Sequence, residues 1–214
     1  MIIRPFHLLT LIVVIHSALI LTVRGQSGAD QLKPFTACKL PGDLKVKEVT
    51  RRNPGDSYRD VVTGNGKEKV SVLDGYRVMF AYSDLRYYFA NVKIEQSSPD
   101  SWTKDKEILV SQLKYQSTPP KTFVMTFANT NGLLNGFEHY GIDREKIDSG
   151  DEVGMHVLFY DPARLVVTVY FLNQATGKHA GKRRFETIEQ YQTLRDQFLS
   201  TYSDCLKRVA DAQH

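Results

Sequence analysis

The chain has 214 residues, of which 42% are hydrophobic and 24% are charged, and its formal net charge is +4. This length predicts one domain that can bury a sizeable core. Without Arg4 and Arg24, which lie in a predicted export signal, the net charge falls to about +2, which is too small to indicate a nucleic-acid or anionic-membrane partner.

Residues 1–25 have the pattern of a secretory signal peptide. Arg4 precedes an apolar run at residues 8–23, and small or branched residues stand before Gln26, where cleavage is expected. The run is shorter than the about 20 apolar residues of a spanning helix, although an uncleaved anchor stays open as an alternative. We therefore expect a secreted, extracellular protein of residues 26–214 with no stable insertion in a membrane.

Cys38 and Cys205 are the two cysteines of the chain. In the oxidising compartment that a signal peptide implies, two thiols are expected to pair. A bridge over so long a loop would stabilise the domain by about 5 kcal/mol in the chain-entropy model. Two unpaired thiols are the alternative.

The region before residue 175 has the sequence pattern of a β protein: short runs rich in Val, Ile, Tyr, Phe and Thr alternate with turn residues. Prolines that follow Ser98, Thr118 and Asp161 mark turns between these runs. The predicted strands are residues 69–83 with an interruption at Asp74-Gly75, 87–95, 107–116, 122–128, 136–140, 154–160 and 165–172, with 43–49 as a further candidate. This pattern predicts an all-β domain.

The strand at 165–172 is apolar on both faces, apart from Thr168 and the phenol of Tyr170, which share a face with Val166. An antiparallel strand with one face in water would show polar residues on that face. We therefore expect both faces of this strand to be covered.

Residues 187–210 predict the cover for one face. Their apolar residues recur at spacings of three and four, which is typical of an amphipathic helix. Thr187 with Gln190 predicts a capping box at the start of this helix, and Cys205 lies on its apolar stripe. A barrel with a filled or occupied interior would account for the other face of the sheet.

Three segments of the C-terminal third are similar to segments of a known family. They are residues 155–161 (MHVLFYD), residues 166–170 (VVTVY), and a helix that runs from 186–190 (ETIEQ) to 204–206 (DCL). In this order they resemble the lipocalins, most closely the orosomucoid and apolipoprotein M branch. The Gly-x-Trp signature of the family has no convincing match, so a diverged lipocalin of the kind that blood-feeding arthropods secrete stays open. The resemblance implies an eight-stranded antiparallel up-and-down barrel with the C-terminal helix packed outside.

A barrel of this size holds one small ligand in a mainly apolar and aromatic site. The resemblance favours Thr168 and Tyr170 facing inward, and the same reading turns His156 on the partner strand inward. A packed core with hydrogen-bonded phenols is the alternative. The candidate ligand-binding residues are His156, Leu158, Tyr160, Val166, Thr168, Tyr170, Phe80, Tyr82 and Phe127.

The expected function is that of a secreted carrier for a small apolar ligand such as a lipid, a steroid or an aromatic amine. The alternative is a secreted β-sandwich that binds another protein and has no ligand pocket. No nucleophile, paired-acid or metal-ligand pattern stands out, so we expect no enzyme, no metal site and no cofactor. The basic stretch 178–184 (KHAGKRR), from Lys178 to Arg184, is either a solvated connection, a contact for a cell-surface receptor or polyanion, or a dibasic processing site.

Overall fold

The computed structural model describes residues 31–40, 42, 44–53, 57–82, 87–121, 123, 127–130, 134–145, 147, 152–175 and 185–213. The expected signal peptide and the basic stretch 178–184 lie outside these residues. The strands are β1 (Leu44–Arg51), β2 (Tyr58–Thr63), β3 (Gly66–Ser71), β4 (Asp74–Tyr82), β5 (Tyr87–Gln96), β6 (Ala128–Asn129), β7 (Glu138–Asp143), β8 (Glu152–Tyr160) and β9 (Leu165–Ala175). The α-helices are α1 (Trp102–Gln116) and α2 (Ile188–Asp211), and short 3-10 helices span Lys33–Ala37 and Asp161–Ala163.

Seven of these strands form one antiparallel sheet in the order β1-β4-β5-β9-β8-β7-β6, and β2 pairs with β3 as a separate hairpin. The β-rich antiparallel architecture with a C-terminal helix is confirmed. The up-and-down order is wrong, because the chain leaves β5 into α1 and β5 pairs with β9 instead of with the next strand. The eight-stranded barrel is not confirmed, since no pairing within the described residues joins the edge strands β1 and β6.

Helix α1 lies where the sequence predicts a strand at residues 107–116. Ile108, Leu109 and Leu113 are its buried apolar residues, and their spacing places them on one helical face. The rest of the helix includes three Lys, one Glu and two Gln residues, which favour helices. The apolar run from Ile108 to Val110 therefore belongs to a half-buried helix, which a short run cannot distinguish from a strand.

Helix α2 covers one face of the sheet, as predicted. Thr187 and Gln190 form the expected capping box at its start. Phe198 on its buried side meets the rings of Phe80, Phe89 and Phe171 at centroid distances of 5.4–5.5 Å. These edge-to-face contacts stabilise the layer beyond the burial of apolar area.

The other face of the sheet is covered in part by α1 and the β2–β3 hairpin. Leu109 and Leu113 pack there with Val61 of β2 and with Val157 and Phe159 of β8. The molecule therefore has three layers: α2, the seven-stranded sheet, and the layer of α1 with the hairpin. The expectation that both faces of β9 are covered is confirmed.

Cys38 and Cys205 form the predicted disulfide, with their Cα atoms 5.7 Å apart. Both cysteines are buried in the cluster beneath α2, so the bridge joins that helix to the segment that follows the first 3-10 helix. A buried disulfide of this kind fits an extracellular protein. Within the described residues, neither α-helix combines the length and the apolar character that crossing a membrane requires.

Candidate functional site

Two open grooves lie on the side of the sheet that carries α1 and the hairpin. The basic groove, about 370 Å³ in volume, lies between β2 and the β1–β4–β5 part of the sheet. The aromatic groove, about 510 Å³, lies between α1 and strands β7 and β8. The basic groove is lined by Thr50, Arg51, Arg52, Arg59, Gly75, Tyr76, Arg77, Lys93 and Glu95. The aromatic groove is lined by Thr103, Lys106, Glu107, Val110, Ser111, Lys114, Glu138, Tyr140 and Phe159.

The basic groove concentrates positive charge around one buried carboxylate. Five of its nine lining residues are cationic, and only Glu95 is acidic. Oxygens of Glu95 lie 3.4 Å from Nη1 of Arg52 and 2.8 Å from Nε of Arg59. Because one carboxylate neutralises only one of these two guanidinium groups, the cluster keeps a surplus of positive charge.

Arg77 and Lys93, a cross-strand pair of β4 and β5, add to this surplus. Nε of Arg77 donates to Oδ1 of the neutral side chain of Asn91 at 2.9 Å, and Nζ of Lys93 lies 5.0 Å from the ring centroid of Tyr170. Burial lowers the pKa of Lys93, and the charges of Arg59 and Arg77 lower it further. Burial is the largest of these causes, and the charges of Glu95 and Glu152 act in the opposite direction.

A row of four aromatic rings runs along the aromatic groove. The ring of Phe159 lies 6.0 Å from that of Trp102 and 6.0 Å from that of Tyr140. Phe127 stacks on Tyr140 at 5.7 Å. Tyr140 and Phe159 line the groove, and Trp102 and Phe127 continue the row beyond the lining residues at its two ends.

Lys106 places an ammonium group over this row. Its Nζ lies 3.1 Å from Glu138 and 2.9 Å from Asp161, and 5.4 Å from the ring centroid of Trp102. Burial alone would lower the pKa of Lys106, but the hydrogen bonds to Asp161 and Glu138 outweigh burial and raise it. Burial, followed by the hydrogen bond to Glu138, raises the pKa of Tyr140 to about 12. One end of the groove is thus an ordered network of charges above aromatic faces.

A buried chain of polar side chains lies on the opposite face of the sheet. Thr130 Oγ1 and His139 Nδ1 share a hydrogen bond, His139 Nε2 lies 2.8 Å from His156 Nδ1, and His156 Nε2 lies 2.8 Å from Asp143 Oδ1. Burial lowers the pKa of His139 to about 3, and the charges of His156 and Arg195 act in the same direction. Every ring nitrogen in this chain therefore has a partner, as buried polar groups require.

Asp143 connects this chain to α2. Its carboxylate accepts a hydrogen bond from the phenol of Tyr191 and pairs with the guanidinium group of Arg195. A Cβ atom at Gly154 would collide with the Tyr191 hydroxyl, and one at Gly141 would collide with the His156 ring. The two glycines therefore leave space for this series of hydrogen-bonded side chains, which connects β6, β7 and β8 to the C-terminal helix.

Four of the predicted ligand-binding residues lie on the side of the grooves. Val166 packs in the cluster beneath α1, Thr168 is the cross-strand partner of Lys93, and Tyr170 lies against the Lys93 ammonium group. Phe127 lies at the end of the aromatic row. These residues therefore adjoin the grooves, although none of them is among the lining residues.

The remaining predicted residues lie on the other face. His156, Leu158 and Tyr160 are the cross-strand partners of Val169, Val167 and Leu165, which face α2. Phe80 and Tyr82 belong to the same packed cluster. The assignment of His156, Leu158 and Tyr160 to the face of Thr168 is therefore wrong, because a shift of one residue in register moves every side chain of a strand to the opposite face.

Sequence reasoning missed both grooves. The cations of the basic groove come from four strands and one loop, and only the adjacent Arg51 and Arg52 form a local signal. Lys106, Val110 and Lys114 lie on one face of α1, and the incorrect strand assignment of this segment hid that face. No family model, no curated protein and no solved structure matches this chain. Within the part of the chain that the structure describes, no group of three or more His, Cys, Asp or Glu residues could hold a metal ion.

Proposed function

We propose that the protein is an extracellular carrier that binds one small, mainly apolar ligand with a planar ring in the aromatic groove. The row of four rings, of which Tyr140 and Phe159 line the groove, carries this proposal, because aromatic side chains are the usual lining of such sites. The groove volume of about 510 Å³ is within the range of about 300–1,000 Å³ that is typical of small-ligand sites. The proposal assigns binding and no turnover.

The groove also offers polar groups that would orient a ligand. Tyr140 and Phe159 line the sheet side, and Val110 lines the α1 side. Lys114 holds its Nζ 5.5 Å from the ring centroid of Phe127, while the carboxylate of Glu138 receives the Tyr140 hydroxyl and the Lys106 ammonium group. A ligand ring would stack between the two sides, and its polar substituent would meet these charges at the rim.

The disulfide and the lipocalin resemblance of residues 154–206 support an extracellular carrier. In this proposal the ligand lies in an open groove between a helix and a sheet, and not in the interior of a barrel. Hydrophobic burial would supply most of the affinity, at about 25 cal/mol per Å² of apolar area before the costs of association.

Titration with the neutral dye Nile red tests this proposal. The protein should take up about one dye per chain with saturation, and the fluorescence of Trp102, the single tryptophan, should change because its ring ends the aromatic row. Val110→Arg should weaken uptake by about tenfold or more, because it places a charge against the apolar lining.

Val62→Arg is the matched control, since Val62 is 47% exposed on β2 and does not line the groove. Its dye affinity should equal that of the unmodified protein. Equal uptake by Val110→Arg would show that the dye binds elsewhere. An absence of saturable uptake would overturn the carrier and favour the protein-interaction module without a pocket.

A further inference from the structure

We propose that the basic groove is a second binding site, which takes a small molecule carrying a phosphate or sulfate group. This site lies apart from the aromatic groove, and the two share no lining residue.

The charge of the groove is not balanced from within. Arg51 pairs with Asp74 at 3.5 Å, and Glu95 serves both Arg52 and Arg59. Among the residues described by the structure, no carboxylate lies in ion-pair contact with Arg77 or Lys93. An anion in the groove would therefore relieve repulsion among cations instead of breaking existing pairs.

The donors approach the groove from several directions. Arg77 and Lys93 lie on β4 and β5, which form the base of the groove. Arg59 lies on β2, and Arg51 and Arg52 lie at the end of β1. A planar carboxylate accepts hydrogen bonds from one pair of parallel donors, whereas the oxygens of a tetrahedral phosphate or sulfate point in several directions and can accept from donors on several sides. The arrangement therefore favours a tetrahedral oxyanion.

Glu95 is a positioning residue for this site. Its side chain is only 8% exposed, and those of Arg52 and Arg59 are 20% and 19% exposed, so the carboxylate holds two partly buried guanidinium groups in place. Nη2 of Arg52 also donates to the carbonyl oxygen of Tyr58 at 2.8 Å. Donors that are fixed before binding lose little conformational entropy when an anion arrives.

The groove is an open recess on the half of this face that carries polar side chains. Beside it, α1 and the hairpin pack on the apolar half, which includes Val157, Phe159 and Val166. The volume of about 370 Å³ is near the lower end of the range for small-ligand sites, about 300–1,000 Å³. The fit is to a compact ligand and not to a polymer.

Calorimetric titration with inorganic pyrophosphate, inorganic sulfate and citrate tests the proposal at about 0.15 M salt, where exposed charges are screened. Pyrophosphate should bind with saturation and more tightly than citrate. Arg77→Gln should weaken pyrophosphate binding by about tenfold or more, while Lys45→Gln, the same change of charge at an exposed position of β1 outside the groove, should not. Equal losses in the two variants, equal affinity for citrate, or no saturable binding would overturn the proposal.

Glu95→Gln separates a built site from diffuse attraction. If only net charge mattered, removing this carboxylate would tighten pyrophosphate binding. If Glu95 holds Arg52 and Arg59 in place, the affinity should fall despite the gain in positive charge, in a variant whose circular dichroism and melting curve show that it folds. Tighter binding by this variant would contradict the positioning role. Nile red uptake should be unchanged in Arg77→Gln, which keeps failure of this site distinguishable from failure of the carrier.

Discussion

His139 is the residue through which acidity should act on the folded state. Its side chain is buried between Thr130 and His156, and its pKa is lowered to about 3, mainly by burial. In the unfolded chain a histidine titrates near about 6.5. Between these values the unfolded chain binds a proton that the folded protein does not bind, so the contribution of His139 is fully present above about pH 6.5 and is lost as the pH falls.

Glu152 should act in the opposite direction. Burial raises the pKa of its carboxyl group to about 7, although Arg144 and Lys93 partly offset this shift. The unfolded chain loses this proton first as the pH rises, so the contribution of Glu152 is present below its ordinary pKa and is lost as the pH approaches 7. The two residues therefore oppose each other between about pH 4.5 and 7.

Urea unfolding of two variants should separate these effects. His139→Gln should remove the acid-sensitive contribution, so that its stability relative to the unmodified protein improves by about 2 kcal/mol from pH 7 to pH 4.5. Glu152→Gln should have the opposite effect: its stability relative to the unmodified protein should fall from pH 7 to pH 4.5. Identical pH profiles in the unmodified protein and both variants would contradict the assignment.

Among the elements, α1 depends on a buried carboxylate for its attachment. Oδ2 of Asp105 accepts hydrogen bonds from the Oγ atoms of Ser71 at 2.6 Å and Ser97 at 2.5 Å, and from the backbone N–H of Ser71 at 3.2 Å. These contacts join the first turn of the helix to the end of β3 and to the residue after β5. They fix where α1 crosses the sheet and therefore also the wall of the aromatic groove.

Asp105→Ala should lower the free energy of unfolding by about 2–4 kcal/mol, because it leaves buried donors without an acceptor. Hydrogen exchange should show the greatest loss of protection in α1. Asp100→Ala, at an exposed position in the preceding turn, is the control and should change stability by no more than about 0.5 kcal/mol. A similar small effect of both substitutions would show that apolar packing alone holds the helix.

The elements that could be predicted from the sequence are those with a strong local pattern. Strands β4, β5, β8 and β9 follow runs of β-branched and aromatic residues, and α2 follows its apolar spacing and capping box. For the segment of Ile108, Leu109 and Leu113 the sequence predicts a strand, because a short apolar run does not distinguish a helix from a strand. The hairpin partner Tyr58–Thr63 escaped prediction because only part of it is apolar.

Side-chain facing could be predicted for β9 but not for β8. Alternation places Thr168 and Tyr170 on one face, and the resemblance favours turning that face away from the helix. Leu165, Val167, Val169 and Phe171 indeed pack in the cluster beneath α2, so Thr168 and Tyr170 lie on the other face. The face of β8 depends on its register with β9, which no local pattern sets. The basic groove depends on pairing among β1, β4 and β5, so it was beyond sequence reasoning for the same reason.

At the scale of the whole molecule, the Cys38–Cys205 bridge closes a loop over most of the domain. Its sequence separation is 167 residues, so it restricts the unfolded chain far more than a short loop would. The bridge also fixes the C-terminal helix to the N-terminal segment, where Leu32 and Phe35 pack in the same core cluster.

Replacement of both cysteines, Cys38→Ala with Cys205→Ala, should lower the free energy of unfolding by about 3–5 kcal/mol. Denaturant unfolding at neutral pH measures this loss. The unmodified protein in a reducing agent is the control, and it should unfold at a denaturant concentration similar to that of the double variant. A loss below about 1 kcal/mol in both samples would show that the core alone secures the two ends.

The adjacency of β5 and β9 has a consequence for the order in which the nascent chain can assemble. As the polypeptide emerges from the ribosome, β1 to β5 can pair with one another early, but one edge of β5 must wait until β9 has been synthesised. Until then that edge exposes unpaired backbone groups, which invite association with other chains. Cys205 emerges later still, so the disulfide can close only after the central strands have been made.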